Sequence, residues 1–170
     1  MLVGLTKQCK LSRTLRAGII PYTCINGNYF FCLGRDTASG ELTDFGGGVR
    51  KNETIFEGAN REFHEETRNV FAFDINDRKI ASQSIVVQTD YMTIFFVNVS
   101  DRYISLSKQL FHTSKSIDAE INDIFWINEV DFVNLVKYGV TKTHRMWGKV
   151  SRFFLKSCAG FSQLKTLLKS

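Results

Sequence analysis

Much of what a chain of 170 residues can be is excluded by what this one lacks. No apolar run reaches the ~18 residues that a membrane-spanning helix needs. Lys7, Lys10, Arg13 and Arg16 stand near the N-terminus with no apolar core after them, so a secretion signal is not expected. Proline occurs once, at Pro21, and there is no linker, internal repeat or low-complexity stretch. The four cysteines, Cys9, Cys24, Cys32 and Cys158, have no metal-type spacing and suit a reducing interior. An intracellular protein, cytoplasmic or nuclear, with no membrane partner is the expectation. His64 is expected at the surface, His112 and His144 show no ligand spacing, and no Ser-His-Asp or Cys-His constellation can be assembled. The glycine triplet at 46–48 is not followed by Gly-Lys-Ser/Thr, which excludes a P-loop.

Acidic residues are also missing from both ends. Residues 1–20 hold four basic residues and no acid, and residues 141–170 hold seven and no acid. The net charge of +5 therefore divides into +11 at the ends and −6 in the middle. A basic surround for an acidic centre suits a polyphosphorylated substrate or nucleic acid; it equally suits a merely soluble surface. Apolar content of 44% and charged content of 23% are ordinary for a globular protein, and the length fits one domain, 1–170, with a sizeable core.

What is present is concentrated between Gly46 and Phe71. Glu62, Glu65 and Glu66 fall at i, i+3 and i+4, so on a helix they share one patch. Crowded carboxylates repel one another unless a positive charge sits among them. A hard divalent cation with a preference for oxygen ligands, such as Mg²⁺, is the natural partner. Thr54 and Glu57 form a T-x-x-E capping box that starts this helix just past Glu53. Phe56, Ala59 and Phe63 give it a stripe to bury, and Gly58 costs it about 1 kcal/mol relative to Ala unless a neighbouring backbone packs close.

The spacing resembles the Nudix hydrolase signature, G-x5-E-x7-R-E-U-x-E-E-x-G-U with U a bulky apolar residue. Gly47, Glu53, Arg61, Glu62, Glu65 and Glu66 match it in register, with Phe63 in the first apolar slot. With each residue type near ~6–7% of positions, six such matches arise by chance on the order of once in 10⁵ chains. The tail departs from the pattern, because Arg68 takes the glycine slot and Asn69 the apolar one. We expect a helix one residue longer, stopped by Asn69 in a left-handed conformation and followed by the apolar contact of Val70.

The resemblance implies an α/β (α+β) fold, an α/β/α sandwich with a mixed β-sheet in a single domain, carrying its motif on a loop–helix unit at 46–70. It implies a Mg²⁺-dependent pyrophosphohydrolase, with Mn²⁺ as a substitute, that cleaves a phosphoanhydride in a nucleoside diphosphate linked to another group. Bound Mg²⁺ would act as Lewis acid, activate water and orient the phosphates. Glu65 and Glu66 are the expected metal ligands, and Glu62 is either a third ligand or the base. Arg61 is expected to hold a carboxylate in its guanidinium fork. The resemblance adds the Gly46 carbonyl as a ligand and a further acid before the late Trp126 strand, with Glu120 as candidate and Asp118 and Asp123 as rivals. Gly47 and Glu53 are structural members of the motif.

Substrate recognition is weakly marked. Phe45 and Tyr22, with Phe30 and Phe31, are candidates to stack on a base. Arg145, Lys149, Arg152 and Lys156 recur at i, i+4, i+7 and i+11, a basic stripe on a helical segment over about 142–170. Met146, Trp147, Val150, Phe153 and Phe154 are placed to pack inward, and Phe161, Leu164 and Leu168 suggest a short second helix. The stripe is either a solvated face or a track for phosphates, RNA included. Nucleoside triphosphates, dinucleoside polyphosphates, nucleotide sugars and the RNA cap are the competing substrates. Inositol pyrophosphates and a catalytically silent nucleotide-binding module are the alternatives.

Elsewhere, 16–26 and 28–34 read as strands joined by a hairpin turn at Asn26-Gly27-Asn28, with Pro21 pointing to an edge or a bulge. Residues 79–87 and 91–99 read as a second strand pair, 124–127 as a short strand, and Asn128 caps a helix over 129–138.

Overall fold

The structure, a computed structural model, describes residues 15–71, 83–116, 119–156 and 166. Cys9, Cys158, Asp118, residues 79–82, and Phe161, Leu164 and Leu168 lie outside the described residues.

The predicted hairpin is present as β1 (Arg16–Ile25) and β2 (Asn28–Asp36), paired antiparallel. Its turn puts Asn26 at φ 50° and Gly27 at φ 78°, the doubly left-handed geometry whose twist matches the flanking strands. β3 (Leu42–Thr43) pairs with β2, and β4 (Phe45–Gly48) pairs antiparallel with the start of β1. β5 (Ile85–Gln88) and β6 (Met92–Asn98) form the second antiparallel pair, and β6 runs parallel to β1. β7 (Ile121–Asn128), longer than its sequence suggests, closes against β2. The sheet is therefore mixed, as expected, in the order β3-β2-β1-β6-β5 with β4 on β1 and β7 on β2.

Pro21 is neither on an edge nor at a bulge. β1 is central, and Pro21 falls between its pairing with β4, which ends at Ile19↔Phe45, and its pairing with β2, which begins at Tyr22↔Phe31. The ladder on that side is already interrupted there, so a residue without an N–H is tolerated.

Side chains alternate along the strands with period two and divide the core into two layers. Ala17, Ile19, Cys32, Phe95 and Val97 face one side, where helix α1 (Ile55–Thr67) and helix α2 (Tyr103–Thr113) pack with Ala59, Phe63, Tyr103 and Phe111. Ile20, Tyr22, Phe31, Leu33, Ile94 and Phe96 face the other, under α3 (Glu129–Tyr138) and α4 (Gly148–Lys156). This is the α/β/α sandwich. The α3 boundaries follow the capping signals: the Asn128 side chain accepts from the Asp131 amide, and Gly139 ends the helix at φ 71°.

Helix α2 is the element that sequence reading omits. Its N-cap, Arg102, makes no side-chain cap, and Leu106 and Leu110 are exposed, so neither a start signal nor a clean apolar stripe marks it. It is held instead through the sheet: the Trp126 indole donates to Ser107 Oγ at 2.8 Å and to the Tyr103 carbonyl at 3.1 Å. No described helix is long and apolar enough to cross a membrane.

Candidate active site

The glycine strand β4 and helix α1 meet at a cluster of acids clamped by two arginines. The helix begins as the capping box requires, with Thr54 accepting from the Glu57 amide and Glu57 from the Thr54 amide. It ends differently from expectation. The last helical residue is Thr67, and Arg68 itself takes the left-handed conformation at φ 57°, with Asn69 following at φ 56°. A non-glycine residue there costs about 1–2 kcal/mol. Arg68 offsets that cost through its side chain, which donates to the Phe111 carbonyl at 3.0 Å and lies 3.9 Å over the Phe111 ring. The arginine in the glycine slot thus ties the helix exit to α2, and the buried Val70 supplies the apolar contact.

Arg61 is the organising cation of the outer half of the site. Its Nε donates to Glu53 Oε1 at 2.7 Å and its Nη2 to Glu53 Oε2 at 3.2 Å, the bidentate fork. Nη1 donates to Glu62 at 2.6 Å and lies 3.4 Å from Glu65, and Nη2 also reaches the Gly48 carbonyl at 3.0 Å. The Arg61 hydrogen bonds hold the Glu53 carboxyl down to about 2, and the Arg50 amide adds to the effect. Glu53 in turn pushes the Arg61 guanidinium further above its ordinary value. The turn closes tightly on both acids. A Cβ on Gly47 would stand 2.5–2.7 Å from the Glu62 carboxyl, and one on Gly58 would meet Glu53 Oε2 at 3.2 Å and Val49 Cα at 3.4 Å. The helical cost of Gly58 is explained by that close approach.

Glu66 lies on the inner half. It is 4% exposed, and its Oε2 accepts from the Gly46 amide at 2.7 Å. Burial first, and then the neighbouring Asp44 carboxylate, push the Glu66 carboxyl up to about 9. Asp44 is fully buried against Gly18 and Gly46, accepts from Thr43 Oγ1 at 3.0 Å, and pairs with Arg16 at 2.7 Å. Arg16 also donates to the Gly46 carbonyl at 2.8 Å. Burial alone would lower the Arg16 guanidinium, but Asp44, with smaller contributions from Glu66 and Glu62, raises it. Sequence reading did not place Arg16 and Asp44 in the site. Twenty-eight residues separate them, and only the β1–β4 pairing, Arg16↔Gly48 to Ile19↔Phe45, brings them together.

The candidate ligands are therefore arranged in two sets. Arg61 ties Glu62 and Glu65, the latter with its side chain 34% exposed, while Glu66 turns inward to Gly46. Among the described residues, no group of three or more Asp, Glu, His or Cys side chains is already drawn together around one point. The chemistry of the donors nonetheless fits a hard divalent cation. All are oxygens, and the inner set holds two buried carboxylates against one guanidinium, an excess negative charge that burial disfavours. The Gly46 carbonyl, with two lone pairs, retains one beyond the Arg16 bond.

Three expectations are corrected by burial and position. Phe45 is fully buried and packs edge-on against Phe63 at 5.6 Å, so it is core and has no face for a base. Tyr22 is likewise core, 6.3 Å from Phe31 and 6.4 Å from Tyr29. Arg145 is not on the basic helix. It bridges to Val140 before α4 begins at Gly148, and the helical part of the stripe starts at Lys149 and Arg152. Glu120 is exposed at the turn into β7, where its carbonyl accepts from the Thr37 amide at 2.8 Å. Its rival Asp123 is committed elsewhere. Burial would raise its carboxyl, but Lys108 at 3.1 Å, the Ile124 amide at 2.9 Å and His112 at 3.1 Å hold it below the usual range.

No protein-family model matches the sequence, and no curated protein matches it. Three-dimensional form does find similar structures. The chain resembles a Nudix hydrolase from M. smegmatis, RenU, with a TM-score of 0.56 at 12% identity over 89% of this chain and 87% of that one. It resembles a mutT/nudix family protein from Listeria innocua with a TM-score of 0.52 at 14% identity, over 89% and 96% of the two chains. The fold is that of the Nudix hydrolases. An Ap4A hydrolase from C. elegans shares 17% identity over 85% of this chain and 97% of that one, with a TM-score of 0.45. In the Nudix frame the signature occupies the β4–α1 unit, with the signature's first glycine on the strand and its acids on the helix.

Proposed function

We propose that this protein, acting as one domain over 1–170, is a Mg²⁺-dependent Nudix pyrophosphohydrolase. Its substrate is a nucleoside diphosphate linked to another group. The observation that carries this reading is the conjunction at β4–α1. All six signature positions are present in register, Arg61 forks onto Glu53 while touching Glu62 and Glu65, and Glu66 is bonded to the glycine strand. A solvated charged helix face would need none of these contacts.

Bound Mg²⁺ would supply Lewis acidity, an acidified water and orientation of the phosphates. Glu65, Glu66, Glu62 and the Gly46 carbonyl are the groups that would hold it. Arg61 is a positioning residue, because it reaches the carboxylates and the Gly48 carbonyl and fixes the loop to the helix. Glu62, which contacts Arg61 and lies close to Gly47, would serve either as a ligand or as the proton acceptor for water. The cysteine usage suits an intracellular setting; Cys24 and Cys32 are free thiols.

The test is a screen of nucleoside triphosphates, dinucleoside polyphosphates, nucleotide sugars, capped RNA and inositol pyrophosphates, with products identified by mass. We expect Mg²⁺-dependent release from at least one nucleotide class, abolished in Glu66→Gln. Absence of metal-dependent product from all of them would leave only the binding-module reading.

A further inference from the structure

The signature accounts for one end of a polyphosphorylated substrate. A second group of residues beside it is not absorbed by the catalytic reading. The Trp147 amide donates to the Leu42 carbonyl at 2.8 Å, which fixes this residue to β3, two positions before Asp44. Met146, next to it, is buried and bridges to Leu42. The half-buried Trp147 ring carries two cations. The Arg16 guanidinium carbon lies 5.3 Å from its centroid and the Lys149 ammonium 4.9 Å.

The two cations differ in what they have left to bind. Arg16 is engaged with Asp44 and the Gly46 carbonyl, inside the acid cluster. Lys149 is exposed and forms no ion pair with a described carboxylate, and the first turn of α4 contains no acid. Arg152 follows one turn later, its guanidinium close over Gly148. A cation resting on an aromatic face keeps its full charge and has little rotamer freedom left to lose, so an anion arriving there finds it pre-ordered. Trp147 therefore acts as a platform between the acid centre, reached through Arg16, and an uncompensated basic surface.

We infer that Arg16, Trp147 and Lys149 form a phosphate subsite. It receives the phosphates beyond the anhydride held at the acid cluster, with Lys149 as the principal contact. The inference rests on the reading of the β4–α1 unit as a phosphoanhydride-cleaving site. It adds the residues that hold the rest of the substrate and the direction, toward α4, in which that part extends. The chemistry recognised is a run of phosphate charge. A nucleotide and a bare or inositol-borne polyphosphate both supply it.

The experiment is equilibrium titration of the full chain, kept free of divalent metal, with inorganic tripolyphosphate. Without metal the acid cluster repels anions, so heat or fluorescence changes report the basic subsite. We expect saturable binding that weakens at least about tenfold in Lys149→Gln and in Trp147→Leu. It should be unchanged in Lys137→Gln, which removes the same charge from α3. Lys149→Gln should melt as the wild type does, which separates lost binding from lost folding. Titration with ATP names the source. Affinity above that of tripolyphosphate supports a nucleotide, and equal affinity supports the phosphate run alone. Wild-type binding in both Lys149→Gln and Trp147→Leu, or no binding of tripolyphosphate to the wild type, overturns the subsite. Metal-dependent turnover with either of those results leaves the enzymatic reading standing. Tripolyphosphate binding without turnover on any substrate does the reverse.

Discussion

Glu53 and Glu66 belong to the same loop–helix unit, thirteen residues apart, yet their environments drive them in opposite directions. Glu53 is half-buried in a bidentate fork from Arg61 and is held ionised down to about 2. Glu66 is buried beside another carboxylate and is pushed up to about 9. The first is a strut whose charge is already satisfied. The second holds its proton because the fold supplies no cation sufficient to offset its charge, so it ionises only when a positive charge is brought to it. Their positions in the signature do not reveal this; the difference is made by which partner each side chain meets.

The largest expected effect separates the two directly. Glu66→Gln should lower Mg²⁺-dependent turnover on the order of a hundredfold or more while leaving metal-free melting nearly unchanged. The amide can still accept from the Gly46 N–H and has no charge to desolvate. Glu53→Gln should show the opposite balance, losing about 1 kcal/mol of stability in urea unfolding with a smaller loss of turnover. Equal losses of both kinds in both variants would erase the distinction.

Gly47→Ala tests how closely the loop must approach the helix. The added methyl falls within 2.5–2.7 Å of the Glu62 carboxyl, which has to swing away from Arg61. Turnover should fall on the order of tenfold to a hundredfold with the melting temperature little changed, readable from paired kinetics and calorimetry. A smaller effect is expected at the helix exit. Arg68→Ala keeps the left-handed backbone cost and loses the Phe111 contacts, whereas Arg68→Gly loses the contacts and the cost together. The glycine variant should therefore be more stable than the alanine variant by about 1 kcal/mol. Equal unfolding midpoints would show that the backbone at Arg68 is unstrained.

The smallest effect is on the acid limb. The folded-state value of Glu53, about 2, lies below its ordinary 4.5, so the folded protein binds fewer protons there than the unfolded chain in that interval. The stabilisation from Glu53 is present above pH 4.5 and is lost as pH falls toward and through 2. The difference in unfolding midpoint between wild type and Glu53→Gln should shrink across that window; a constant difference would contradict the fork.

Legibility followed the range of the interaction. The Asn26-Gly27 turn, the Thr54–Glu57 box and the Asn128 cap are each decided within a few residues, and each appears where sequence places it. Helix α2 has no such signal and depends on Trp126 reaching Ser107 across the fold. Arg68 shows the same limit in reverse. Its local propensity argues against the left-handed conformation, and a contact 43 residues away makes that conformation tenable.

By itself, the order of residues determined the acid register, the helix that carries it, the hairpin and the alternation that divides the sheet into two faces. These depend on period and spacing, which the chain carries locally. The tertiary structure alone decided that Phe45 and Tyr22 are core, that Arg145 falls outside the basic helix, and that Arg16 joins Asp44, Gly46 and Trp147. Burial and charge pairing are properties of neighbours, and strands β1, β3 and β4 become neighbours of these groups only when the sheet assembles.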